Sequence, residues 1–184
     1  MNKHVLPVTL VLDNIRSLYN VGSIFRTADG VGLEKLILTG ITPYPTFNGD
    51  TRMPWEQQTV SDKLNKTALG AQDIVSWEYV EKYEFLNSKF KKELPIRNNT
   101  LRSRPTIVAL EKTNTSVSIF DVELSFPLTL IVGNEVTGVS SDILNKSDVV
   151  VHLPMLGLKK SLNVANATSI ALYELLRQYN KTKP

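Results

Sequence analysis

Cysteine is absent from this sequence. Its absence excludes a disulfide framework, a thiolate nucleophile and any zinc site built on sulfur. Histidine is nearly absent: His4 and His152 stand far apart, which excludes a histidine-rich metal centre. Long apolar runs are missing too. None approaches the about 20 residues that span a bilayer, and Met1-Asn2-Lys3-His4 leads directly into a strand-like segment with no secretory apolar region. A soluble cytoplasmic protein is expected, with no membrane and no metal among its partners. Neither sign of charge dominates, with Lys+Arg at 21 and Asp+Glu at 18. The resulting +3 would not repel a polyanion, and by itself it implies nothing further.

What remains is a globular composition. At 184 residues the chain is a little over one typical domain and can bury a substantial core. Its 42% hydrophobic and 21% charged residues separate it from disordered, highly charged chains.

The pattern along the chain is strand, helix, strand, repeated, with no internal repeat. Val8 to Leu12 is a short apolar strand ending at Asp13-Asn14. Val21, Ile24, Phe25 and Ala28 follow at helical spacing, with Asp29-Gly30 as the stop. Further strands are expected at Lys35 to Thr39, Ile74 to Trp77, Thr106 to Leu110, Leu128 to Val132 and Val149 to Leu153. Helices are expected at Ser61 to Ala71, Tyr83 to Lys92, Ser140 to Asn145 with a serine N-cap, and Asn163 to Tyr179. In the last of these Val164, Ala167, Ala171, Leu175 and Tyr179 fall on one face, with Ile170, Leu172 and Leu176 beside it. Continuous apolar strands alternating with helices predict an α/β fold, a parallel sheet covered on both faces. Ligands of such sheets bind beyond the carboxyl ends of the strands. The segments 14–26, 133–138 and 154–163 are therefore the ones to examine.

Familiar nucleotide loops do not fit. Gly30-Val31-Gly32 follows a helix and precedes a strand, the reverse of a dinucleotide loop, and Gly157-Leu158-Lys159-Lys160-Ser161 lacks the first glycine of a phosphate loop. No Gly-x-Ser-x-Gly elbow is present. The segment from Asn20 to Arg26 pairs an amide with a guanidinium, groups able to orient a hydroxyl and clamp a phosphate. Asn20 as an N-cap and Gly22 as a packing contact are the structural alternatives. Gly133 permits close backbone approach, and Glu135 either braces a site or caps the following helix. Ser161 and Asn163 are the polar pair of the third segment, with Ser161 equally suited to cap the last helix. Between Lys89 and Arg104 six basic residues face one acid, Glu93. That composition suits either a solvated loop or a nucleic-acid contact.

Three motifs in this order resemble those of the SpoU (TrmH-like) branch of the SPOUT RNA methyltransferases. They are Asn20-x-Gly22-x-x-x-Arg26, Gly133-Asn134-Glu135-x-x-Gly138, and Leu153-Pro154-Met155-x-Gly157-x-x-x-Ser161-Leu162-Asn163-Val164. The likeness continues through Thr67 to Ala71 and Val108 to Glu111 and covers nearly the whole chain.

The resemblance implies methyl transfer from S-adenosylmethionine to a ribose 2′-hydroxyl of tRNA or rRNA, by a homodimer whose sheet carries a C-terminal trefoil knot. It implies Asn20, Arg26, Glu135, Ser161 and Asn163 as catalytic residues. It also implies a cofactor site at Leu110, Glu111, Gly133, Asn134, Leu153, Met155, Ser161 and Leu162. Residues 1–184 are expected to form one methyltransferase domain without a separate RNA-binding domain. RNA would then be held by Arg26, Lys91, Lys92, Arg97, Lys159 and Lys160. Arg26 would clamp a phosphate and face the cofactor of the other subunit, and Glu135 would contact Arg26 or the substrate end of the cleft. The competing reading is a catalytically silent module of the same fold that binds RNA or S-adenosylmethionine.

Overall fold

The computed structural model describes residues 5–81 and 105–183. The expected helix over 83–92 and the basic residues Lys91, Lys92 and Arg97 lie outside the described residues. In chain order the elements are β1 (Leu6–Asp13), α1 (Leu18–Val31), β2 (Leu33–Thr39), α2 (Pro54–Ala68), a 3-10 turn (Ala71–Asp73) and β3 (Trp77–Val80). After them come β4 (Thr106–Leu110), β5 (Val117–Ser118), β6 (Leu128–Val132), α3 (Ser141–Lys146), β7 (Val149–His152) and α4 (Val164–Lys181).

Among the described residues seven strands form one sheet in the order β3-β2-β1-β6-β4-β7-β5, and every pairing between these strands is parallel. β6 sits at the centre with all five residues buried, as its unbroken apolar sequence requires. Alternation of side chains across the strands divides the core in two. Leu10, Leu12, Leu36, Leu38, Val108, Leu130 and Val151 face the helices α1, α2 and α4, packing with Ile24, Phe25, Leu64 and Leu172. Val11, Ile37, Ile107, Ala109 and Ile131 point to the other face, where Ile143 of α3 covers them.

Local chemistry moves several boundaries from their expected places. α1 passes through Asp29-Gly30 and stops at Gly32. The left-handed backbone there (φ 65°) lets the Gly32 N–H close on the Ala28 and Asp29 carbonyls. α2 starts at Pro54, well before Ser61, because Pro54 suits the first helical position and the Glu56 carboxylate accepts the Met53 N–H at 3.0 Å. It ends at Leu69 and Gly70, both at positive φ. The following residues form the 3-10 turn, so the strand expected at 74–77 runs instead from Trp77, paired with Leu36. The two-residue β5 was not expected, being too short to carry a pattern.

Ser140 holds the N-cap position of α3, but its hydroxyl makes no capping bond and is buried without a partner among the described residues. The cap of α4 is Asn163, not Ser161: its side-chain oxygen accepts the Ala165 and Asn166 N–H groups at 2.9 and 3.4 Å. Leu172, expected beside the main stripe of α4, is fully buried in the core with Ala171 and Leu175, whereas Ile170 stays 40% exposed. Among the described residues no helix is long and apolar enough to cross a membrane.

Candidate active site

Because all strands are parallel, their carboxyl ends share one rim. The chain order reverses between β1 and β6, which opens a crevice at that rim. The segment after β6 meets the segment after β1 here. Glu135 accepts hydrogen bonds from the Arg16 N–H at 2.9 Å, the Ser17 N–H at 3.1 Å and the Asn20 side-chain amide at 2.9 Å. Asn163 in turn donates from its amide to the Asn20 side-chain oxygen at 3.1 Å. One chain of hydrogen bonds, Asn163 to Asn20 to Glu135, therefore joins the three segments. Burial would raise the Glu135 carboxyl, but the Arg16 N–H, the Asn20 amide and the Ser17 N–H outweigh it and hold the group below the ordinary glutamate range.

The geometry of each segment has a local cause. Asn20 is not the N-cap of α1; Ser17 is, and its hydroxyl accepts the Asn20 N–H at 3.3 Å. Gly22 packs against α2 so closely that an added Cβ would lie 2.2 Å from Thr67 Oγ1 and 2.6 Å from the Leu64 carbonyl oxygen. The segment 133–138 folds back on itself, with the Gly138 N–H donating to the Asn134 carbonyl at 2.9 Å. A Cβ on Gly133 would come within 2.4 Å of the Gly138 backbone, so only glycine fits there. Glu111 holds the far side of this segment, accepting the Val139 N–H at 2.9 Å. The Asn134 amide donates to the Asn14 carbonyl at 2.7 Å, tying it to the end of β1.

Beside this bridge lies a cleft of about 290 Å³ at the ends of β4, β6 and β7, near the lower end of the roughly 300–1,000 Å³ usual for small-molecule sites. Leu110, Glu111, Gly133, Asn134, Leu153, Met155, Ser161 and Leu162 all line it, as do Glu135, Asn163 and Lys160. Its walls mix apolar side chains with polar and charged ones. Asn20 stands outside the cleft and reaches it through Glu135 and Asn163. Arg26 and Lys159 do not line it. Arg26 is exposed on α1 and does not touch Glu135, whose acceptors are taken by Asn20, Arg16 and Ser17. Of the two contacts expected for Glu135, the one with Arg26 is not made within this chain, whereas Glu135 does line the cleft.

Sequence reasoning missed Lys112 and His152, which also line the cleft. His152 is the last residue of β7 and Lys112 lies two residues beyond the end of β4, so nearness to a strand's carboxyl end was the available signal. It also passed over Asn14, which adopts positive φ (55°) and accepts the Ile41 N–H at 3.2 Å.

The fold and this rim define an α/β protein with a ligand-sized cleft beyond the carboxyl ends of a parallel sheet. The model of the SpoU rRNA methylase family matches residues 7–173, and the chain belongs to that family. It is 29% identical over 97% of its length to a tRNA (guanosine(18)-2′-O)-methyltransferase of Aquifex aeolicus, of which it covers 72%. It is 28% identical over 95% of its length to a 23S rRNA (guanosine-2′-O-)-methyltransferase of Blochmanniella floridana, of which it covers 59%. The SpoU methyltransferase AviRb from Streptomyces viridochromogenes, solved in complex with the cofactor AdoMet, superposes with a TM-score of 0.72 at 25% identity. That match covers 94% of this chain and 60% of AviRb.

Proposed function

We propose that this chain transfers a methyl group from S-adenosylmethionine to a ribose 2′-hydroxyl of tRNA or rRNA, acting as a homodimer. The observation that carries the reading is the hydrogen-bonded chain Asn163–Asn20–Glu135, which unites the three motifs at the mouth of the cleft. The cleft suits the cofactor chemically. Leu110, Leu153, Met155 and Leu162 offer apolar walls to an adenine ring, Glu111, Asn134 and Ser161 offer polar contacts, and Lys112 offers a cation to a carboxylate. The residues after β6 and β7 form the trefoil knot in this reading.

When bound, S-adenosylmethionine supplies an electrophilic methyl carbon on a sulfonium. The protein has to place the ribose oxygen in line with it and assist loss of the hydroxyl proton. Asn20 is held at both ends, by Glu135 and by Asn163, so it presents a fixed edge to the ribose. The Arg26 guanidinium serves as a phosphate clamp and stabilises negative charge developing on the attacking oxygen.

The position of Arg26 supports the dimer in this reading. It lies on the outward stripe of α1 with Tyr19 and does not line its own cleft, an arrangement suited to serving the cleft of a second copy. The outward face of α4 adjoins this stripe: a Cβ on Gly30 would be 3.3 Å from the Tyr173 hydroxyl. Ile170 and Tyr173 leave apolar surface there, at 40% and 55% exposed. Lys159, Lys160 and the basic residues Lys91, Lys92 and Arg97 complete the RNA contact.

Incubation with methyl-labelled cofactor and bulk small RNA, followed by nucleoside mass spectrometry, tests the activity. Appearance of a 2′-O-methyl nucleoside is expected. Binding of cofactor and RNA without methylation would establish the silent module instead.

A further inference from the structure

His152 lies at the end of β7 and lines the cleft. Its backbone is fixed by pairing with Ser118 and by the Ile119 N–H, which donates to the His152 carbonyl at 3.0 Å. Its Nδ1 lies 3.0 Å from Ser116 Oγ. That hydroxyl already has two partners. It donates to the Thr113 carbonyl at 2.9 Å and accepts the Thr113 N–H at 3.0 Å. A serine hydroxyl has one proton and two lone pairs. With the proton given to a carbonyl and one lone pair to an N–H, only a lone pair remains for the imidazole. Nδ1 must therefore carry the hydrogen. In the neutral ring Nε2 is then an acceptor, and it has no protein partner among the described residues.

We infer that His152 is a ligand-contacting specificity residue, held by Ser116 in the Nδ1–H tautomer so that Nε2 accepts a hydrogen bond from a donor on the adenosine of the bound cofactor. The inference rests on the cofactor reading of the cleft. Two groups carry the required chemistry, the 6-amino group of adenine and a ribose hydroxyl. A hypoxanthine ring presents an oxygen in place of the amine and would face the imidazole lone pair. Ser116 acts through His152 and is a positioning residue.

The test has two arms. The first is ¹⁵N NMR of the imidazole. His4→Gln leaves a single ring to observe, and its shifts should report hydrogen on Nδ1 in the wild-type cleft. Ser116→Ala should abolish that preference. The second is calorimetry with S-adenosylhomocysteine, its hypoxanthine counterpart and its 2′- and 3′-deoxyribose counterparts. Wild type should lose about three- to tenfold in affinity for the analogue that lacks the contacted donor, the span of one net hydrogen bond. His152→Leu should bind S-adenosylhomocysteine weaker by the same factor and should no longer distinguish that analogue. Loss with the hypoxanthine form identifies the amine, and loss with a deoxy form identifies the hydroxyl. Hydrogen on Nε2 in the wild type, or unchanged discrimination in His152→Leu, overturns the inference while leaving the cofactor site standing. Failure of wild type to bind S-adenosylhomocysteine overturns both.

Discussion

Glu135 shows how much one side chain can organise at this rim. Its carboxylate collects two backbone N–H groups and an amide, and all three bonds require the charged form or an unprotonated oxygen. Its proton affinity is lower folded than unfolded, so protonation favours the unfolded state. The stabilisation is complete above the ordinary glutamate range, about pH 4.3, and is lost as pH falls through the lower folded value. Hydrogen exchange at the Arg16 and Ser17 amides should accelerate over that acidic window beyond the intrinsic trend, and Glu135→Gln should lose the window. A different kind of residue is Arg26, which makes no hydrogen bond or ion pair among the described residues. Arg26→Ala should cut methylation about 100- to 1,000-fold, the usual cost of one oxyanion-type donor, while cofactor affinity measured by calorimetry stays unchanged. A variant with most of its activity would remove Arg26 from the chemistry.

Elements are placed by contacts that no single element contains. α4 carries Gln178, buried to 8% exposure, whose amide donates to the Val122 and Ile119 carbonyls while its oxygen accepts the Leu124 N–H at 3.0 Å. This one side chain staples the segment 119–124 to the helix. Gln178→Ala should lower stability by about 2–3 kcal/mol in chemical denaturation, since buried backbone groups lose their partners. On the same face of the sheet, Gly22→Ala should separate α1 from α2, because its Cβ would meet the Leu64 carbonyl. A lowered melting temperature with the rim loosened is expected, and an unchanged one would mean that α2 shifts freely. Asn163→Ala removes an N-cap, costing about 1 kcal/mol, and also frees Asn20. Its loss of activity should therefore exceed its loss of stability.

At the scale of the whole molecule, the proposed homodimer would build each site from two chains. If Arg26 serves a second copy, an Arg26→Ala chain and a chain defective in the cofactor cleft, such as Gly133→Val, should complement each other. Each is inactive alone, and reassociated mixtures should regain one working site per heterodimer. Silence of the mixture while wild type survives the same treatment, or an active monomer in sedimentation, would end the shared-site model. Reversing charge at Lys91, Lys92 and Arg97 should flatten the salt dependence of RNA binding, each lost phosphate contact reducing the log–log slope by about 0.7.

Much of this protein was legible before any coordinates. Short unbroken apolar runs such as Leu128 to Val132 predict buried parallel strands because both faces of such a sheet are covered. The three motifs mark the rim because functional groups gather after strands. What stayed hidden depends on contacts between residues far apart in sequence. The start of α2 turned on a proline and a reaching carboxylate, and the identity of the α4 cap on which of two polar residues faced the helix amides. The partnership of Glu135 with Asn20, 115 residues away, could not be read from either segment. Spacing along a chain reports which face of an element a residue occupies. The reversal of strand order between β1 and β6 decides which faces meet, and that is a property of the folded sheet alone.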